Sequence, residues 1–168
     1  LKRNALRISL IAISSVFVFE FVAGIVTNSL ALLTDSIHAL LDSVVTGILI
    51  IAVRLASKPR DFEHTYGHGK IESVGSFIGG AALFVVAVLF IYEASERIAF
   101  GGPAALVVPG TIGFAAVTYT LIVDVFRITI VGRAARKSGA ATLKADLYHA
   151  IADLGSTSIA LFGLWLAT

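Results

Sequence analysis

The 168-residue sequence reads as an all-α, polytopic bundle of membrane-spanning helices, from its composition, the length of its apolar segments and the placement of its charge. Hydrophobic residues make up 57% of it, charged residues only 14%, and the mean hydropathy is +0.93. A soluble chain is about 45–50% apolar and about 25% charged. The deficit of charge is the more telling figure, because soluble surfaces are built largely from Lys, Glu, Arg and Asp. This composition argues against a soluble enzyme, a disordered chain and a nucleic-acid binder. The pI of 9.1 reflects a net charge of only +2, far too small for a phosphate-binding surface. Cysteine is absent, which excludes disulfide scaffolds, iron–sulfur clusters and thiolate zinc sites. The sequence opens on Leu1 and holds no Met, and the expectation is a piece of a longer product.

A helix needs about 20 mostly apolar residues to cross a hydrocarbon core about 30 Å thick. Five segments qualify, at 6–27, 30–56, 71–100, 104–131 and 141–167. The first and last are alike in character, so a cleaved signal peptide does not explain the N-terminus. Strand alternation is missing, and the run 81–91 is apolar on every face, as lipid-facing helices are and barrel strands are not.

Lys and Arg near the span ends set the orientation. With a cytoplasmic N-terminus, that side holds Lys2, Arg3, Arg7, Arg54, Lys58, Arg60, Lys70, Arg127, Arg133, Arg136, Lys137 and Lys144, against Arg97 alone on the other. The loops at 57–70 and 132–140 are then cytoplasmic. The 100–104 turn, with Gly101, Gly102 and Pro103, lies on the far side together with the end of the fifth span.

The spans differ in what they carry. The first holds Glu20, which has no partner within its own span and reads as facing a water-filled path. The third holds Gly75, Ser76, Gly79, Gly80, Ala81 and Ala82. Such a cluster is either a close-packing face for another helix or a partner protomer, or the ordinary abundance of glycine in membrane helices. Glu93, Glu96 and Arg97 close that span as solvated interfacial charges. In the fourth, Asp124 pairs with Arg127 one turn on, near the cytoplasmic end.

An ionisable residue inside a span is costly and marks a functional site by default. The second span contains Thr34-Asp35-Ser36-Ile37-His38-Ala39-Leu40-Leu41-Asp42, and the fifth contains Ala145-Asp146-Leu147-Tyr148-His149-Ala150-Ile151-Ala152-Asp153. Both run Asp, two residues, His, three residues, Asp, which puts three ionisable side chains on one helical face. A single His–Asp pair is as well explained by a neutralised polar contact between helices. Two copies at the same spacing point to a shared cation site. If the faces met, His38, Asp42, His149 and Asp153 would offer two imidazole nitrogens and two carboxylate oxygens. That donor number and mixture suits tetrahedral zinc, whereas octahedral all-oxygen sites favour magnesium or manganese and copper(I) wants sulfur.

The loop Pro59-Arg60-Asp61-Phe62-Glu63-His64-Thr65-Tyr66-Gly67-His68-Gly69-Lys70 carries a third constellation. Asp61, His64 and His68 repeat the spacing with His in place of the final Asp. They are either an open metal site near the membrane surface, completed by water or Glu72, or solvated loop residues. Gly67 and Gly69 permit a tight turn in either case.

These residues carry a resemblance. Asn28-Ser29-Leu30-Ala31-Leu32-Leu33-Thr34-Asp35, the paired His-xxx-Asp elements and His64-Thr65-Tyr66-Gly67-His68-Gly69-Lys70 together resemble the transmembrane domain of the cation diffusion facilitator family, the zinc-type efflux transporters, over essentially the whole chain. The resemblance implies that the second and fifth helices supply four transport ligands, which map onto His38, Asp42, His149 and Asp153. The two-histidine form is the one associated with zinc. It places Asp61, His64 and His68 at the positions of a cytoplasmic loop site. It further implies six spans, of which this chain shows five, and a C-terminal cytoplasmic ferredoxin-like domain that binds metal and helps form a homodimer.

The function expected is a secondary transporter in the lipid bilayer of the cell membrane. It exports divalent cations, zinc before cobalt, iron or cadmium, from the cytoplasm in exchange for protons, and has no prosthetic group. The alternative from another class is an intramembrane metal-dependent enzyme. That would need an open metal position and a general base, and no His-Glu-xx-His helix occurs. A passive channel is a third reading, disfavoured because a tight four-ligand cage slows an ion that must also leave.

Overall fold

The computed structural model describes residues 2–59, 67–100 and 110–166. The described residues form five helices and no strand: α1 (Lys2–Thr27), α2 (Leu30–Ala56), α3 (Lys70–Phe100), α4 (Thr111–Ser138) and α5 (Ala141–Leu166). Asp61, His64 and the turn at 101–104 lie outside the described residues.

Four of these helices contain stretches long and apolar enough to cross a membrane, namely Lys2–Thr27, Leu32–Ala56, Lys70–Leu89 and Thr111–Ser138. The protein is thus a multi-pass helical membrane bundle. α5 has the length of a span, about 39 Å at 1.5 Å per residue. Its first half carries Lys144, Asp146, His149 and Asp153.

Two pairs of helices are joined by very short connections. Between α1 and α2, Asn28 takes the left-handed conformation (φ 52°), which Asn tolerates better than most residues. The Ser29 amide then donates to the Gly24 carbonyl (2.9 Å), and the Ser29 hydroxyl accepts from the Leu32 amide (3.4 Å) as the cap of α2. Between α4 and α5, Gly139 closes the helix at φ 63°, its amide donating to the Ala135 carbonyl (2.9 Å). The hairpins α1–α2 and α4–α5 pack together chiefly through α1 and α4, while α3 lies against α2 and α5.

The apolar core lies in layers along the bundle. At one end Leu6, Leu49, Val131 and Leu143 meet; Ile13, Val16, Ala39 and Val123 follow; Ala23, Leu32 and Ala116 close the other end. Polarity is inverted relative to a soluble protein. Ser9, Glu20, Asp42, Thr46, Asp124, Arg127 and Asp146 are buried, while Ile11, Val26, Phe77, Phe84 and Trp165 face outward. Lipid covers such an exterior at no cost, and costly polar groups turn inward.

The small residues of α3 serve packing within the chain. A side chain at Gly75 would collide with the Cβ of Ala52, and one at Gly79 would come within 3.0 Å of the Leu49 side chain. Both glycines therefore hold α3 close against α2. Gly80 has nothing near it.

The fourth helix departs from the hydropathy reading. It is capped at Gly110, whose carbonyl accepts from the Gly113 amide (2.8 Å), and it continues to Ser138 instead of ending near 131. Residues 104–109, where the hydropathy reading begins this span, lie outside the described residues. The continuation to Ser138 moves Arg127 from a helix end to the middle of α4, where it is 2% exposed. Arg127 is consequently an interior residue and drops out of the flanking basic charges; the other eleven on that side of the count are unaffected.

Candidate metal site

The i,i+4 spacing in α2 and α5 does what helical geometry requires of it. His38 Nε2 stands 3.5 Å from Asp42 Oδ2 along α2, and His149 Nδ1 stands 3.5 Å from Asp153 Oδ1 along α5. The two helices run antiparallel, so the pairs meet head to tail, with His149 Nε2 lying 2.8 Å from Asp42 Oδ1 across the bundle. His38, Asp42 and Asp153 each present a donor atom within 4.8 Å of the others. Metal–ligand bonds of 2.0–2.2 Å set donor–donor distances of about 3.4 Å in a tetrahedron. His149 is not in that group of three and meets the cluster through Asp42.

The leading aspartate of each motif does something else. Asp146 turns away from the cluster and is 2% exposed, accepting from Ser9 Oγ of α1 (3.0 Å) and Thr46 Oγ1 of α2 (3.3 Å). Asp35 lines a cavity of about 220 Å³ that also reaches Glu20, His38, Asp42, Asp124 and Asp153. Glu20, read from sequence as facing a water-filled path, lines this cavity and accepts from Thr120 Oγ1 at 2.6 Å. The cluster and Glu20 thus share one cavity between the hairpins.

Arg127 is the residue that sequence reasoning placed wrongly. Its expected neighbour Asp124 is present at 3.6 Å, but the guanidinium also reaches Asp153 Oδ2 (3.0 Å) and Asp146 Oδ1 (3.6 Å), and donates from Nε to Ser9 Oγ (3.2 Å). Asp124 is held further by Thr157 Oγ1 (3.2 Å). Arg127 therefore joins α4 to α5 and α1 at the rim of the cluster. The signal that finds it is Gly110 as helix start, which makes Arg127 an arginine in mid-span.

Of the loop constellation, His68 is described. It is buried just ahead of α3, where its carbonyl accepts from the Ile71 amide (3.0 Å), and Gly67 supplies the left-handed turn before it (φ 83°). Asp61 and His64 lie outside the described residues. Glu72, considered as a further donor there, is engaged otherwise. Its carboxylate accepts from Lys2 Nζ (3.1 Å) and Thr142 Oγ1 (3.2 Å), drawing α1, α3 and α5 together.

Comparison with known proteins follows the same lines. Residues 6–168 match the Cation efflux transmembrane domain. The chain is 32% identical over 160 residues to a cadmium, cobalt and zinc/H(+)-K(+) antiporter of Bacillus subtilis, covering 95% of this chain and 50% of the relative. It is 33% identical over 147 residues to an uncharacterized transporter of Methanocaldococcus jannaschii, covering 88% of this chain and 51% of the relative. A shorter stretch of 87 residues is 36% identical to the zinc transporter ZitB of Yersinia pestis, or 51% of this chain and 28% of that one. The chain spans about half the length of the first two relatives. All three are transporters, not enzymes. With the family match running through all five helices, the chain belongs to the cation efflux transmembrane domain family.

Proposed function

We propose that this chain is the metal-carrying part of a secondary transporter that exports a divalent cation, zinc foremost, from the cytoplasm in exchange for protons. His38, Asp42, His149 and Asp153 are its ligands. The observation that carries this reading is the meeting of two His–Asp pairs across the bundle, with His149 Nε2 2.8 Å from Asp42 Oδ1. Two neutral imidazoles and two carboxylates balance a divalent charge and satisfy the four-coordinate preference of zinc. Four protein donors close the shell, which suits an ion that is carried; a catalytic ion needs an open position. The names of the relatives, which include cadmium, cobalt, zinc, H(+) and K(+), support a divalent cargo with H(+) among the counter-ions.

Proton exchange follows from the donors themselves. A metal ligand must be deprotonated, so the arriving metal expels the protons that an emptied site holds, and protons take its place after release. The basic residues flanking the helices orient the N-terminus and the 57–69 loop to the cytoplasm. Asp61, His64 and His68 then form an accessory site on the loading side. A sixth span and a cytoplasmic domain complete the transporter, which works as a homodimer in the cell membrane.

Zinc uptake into sealed vesicles bearing the full chain, with and without an imposed proton gradient, tests the reading. His149→Ala and Asp153→Ala are expected to abolish uptake, whereas Asp61→Ala retains substantial activity. Wild-type uptake by either transport-site variant, in protein verified as folded and inserted, refutes the ligand assignment. Uptake indifferent to the proton gradient refutes the exchange.

A further inference from the structure

Arg127 stands where the cargo would feel it most. Its guanidinium is 2% exposed, carries a permanent charge, and contacts Asp153 Oδ2 at 3.0 Å. The other oxygen of Asp153 faces His149 Nδ1 at 3.5 Å, on the side of the metal cluster. Asp124 and Asp146, each 3.6 Å from the guanidinium, hold it in place from behind.

We infer that Arg127 is a positioning residue that caps one oxygen of Asp153 and, by its fixed charge, weakens the site's hold on its divalent cargo so that the ion can leave. The inference rests on the reading of His38, Asp42, His149 and Asp153 as transport ligands. Its physical basis has two parts. A guanidinium bonded to Oδ2 draws on that oxygen's electron density and favours Oδ1 for the metal, which disposes Asp153 to bind through one oxygen in a four-coordinate shell. A positive charge one side chain away from a bound divalent ion repels it through an interior of low dielectric, where such interactions are strong. A carrier needs binding tight enough to select and loose enough to release. Four protein ligands supply the first; Arg127 supplies the second.

The test separates charge from geometry. The full chain is reconstituted as wild type, Arg127→Gln and Arg127→Lys, and zinc affinity is measured on the purified protein beside KM and kcat for uptake. Arg127→Gln keeps a hydrogen-bond donor and loses the charge; it is expected to bind zinc about tenfold more tightly or better, with KM and kcat falling together. Arg127→Lys keeps the charge and is expected to stay near the wild-type affinity. A merely structural role gives weaker binding in both variants or no change in affinity in either, and both results overturn the inference. Should Arg127→Gln fail to fold, Arg127→Met, which fills a similar volume and also removes the charge, is held to the same criterion. Absence of zinc transport by the wild type instead defeats the transport reading itself, so the two failures are distinct.

Discussion

Replacing Asp146 by Asn divides the acidic residues of the bundle into those that hold metal and those that hold helices. Asp146 is buried on α5, accepts from Ser9 Oγ (3.0 Å) and Thr46 Oγ1 (3.3 Å), and lies 3.6 Å from Arg127 Nη2. One carboxylate thus ties α5 to α1, α2 and α4. Interhelical hydrogen bonds in membrane bundles average about 0.6 kcal/mol and reach about 1.7 kcal/mol, and those to a charged acceptor belong at the upper end. Asn preserves the shape and one acceptor oxygen, but it loses the charge and points an NH2 group at a hydroxyl or at the guanidinium. Breaking a buried ion pair outright costs about 3–5 kcal/mol. Here the guanidinium still has Asp124 and Asp153, so the loss is smaller. Together these give a destabilisation of about 2–3 kcal/mol. Unfolding of the purified protein in detergent, followed by denaturant or heat, measures it, and zinc titration of the folded variant accompanies it. The reasoning predicts a clear loss of stability with zinc affinity little changed. An unaltered unfolding midpoint would show that the carboxylate does not hold α5. A loss of affinity in folded protein far beyond the about 10–100-fold that an outer-shell partner costs would make Asp146 a ligand.

Three further outcomes are expected. Zinc affinity should fall as the pH drops from about 7 to 6, the range where imidazole ordinarily gains its proton, and calorimetry in buffers of different ionisation enthalpy should register protons released per metal bound; an affinity flat across that range counts against ligand protonation. Gly75→Ala should destabilise the bundle by about 1–3 kcal/mol, because its Cβ meets Ala52 with no flexible side chain to yield, whereas Gly80→Ala has open space and should be neutral or slightly stabilising in unfolding assays. The sequence holds no cysteine, so single cysteines at Ser57 and Ser138 should react with an impermeant thiol reagent only from the cytoplasmic side, and one at Gly110 only from the other; the reverse pattern overturns the orientation.

Periodicity made much of this legible. Long apolar runs fix the existence of a helix wherever no water can satisfy the backbone, and α1 and α2 fall within a few residues of their hydropathy limits. The i,i+4 spacing of His38 with Asp42 and of His149 with Asp153 is a property of one helix, so it can be read without knowing the neighbours. What such spacing cannot give is which helix a face meets. Asp35 and Asp146 occupy equivalent places in matching motifs, yet one lines the cavity and the other binds Ser9 and Thr46. Arg127 was hidden for a different reason. Hydropathy averages over a window and fades among Arg133, Arg136 and Lys137, so it ended α4 near 131 instead of Ser138 and left a central arginine looking peripheral. The glycines of α3 show the converse: a packing face is recognisable by composition, but only the fold says that Gly75 and Gly79 are used up on α2.

The two tight turns have a geometric consequence. His38 and Asp42 stand nine and thirteen residues past Ser29, and His149 and Asp153 stand nine and thirteen past Ala140. The turns themselves lie at opposite ends of the bundle, since α4 and α5 close beside the start of α1, whereas α1 and α2 close beside the start of α4. The two His–Asp pairs are thus set at matching distances from turns at opposite ends, near the middle of α2 and α5. A body that tilts about its middle moves most at its extremities and least at its fulcrum. Rocking one hairpin against the other would part the helices at one mouth and press them together at the opposite mouth, while side chains near the middle kept nearly the same separations. A cation held there could meet first one aqueous face and then the other without travelling along the bundle.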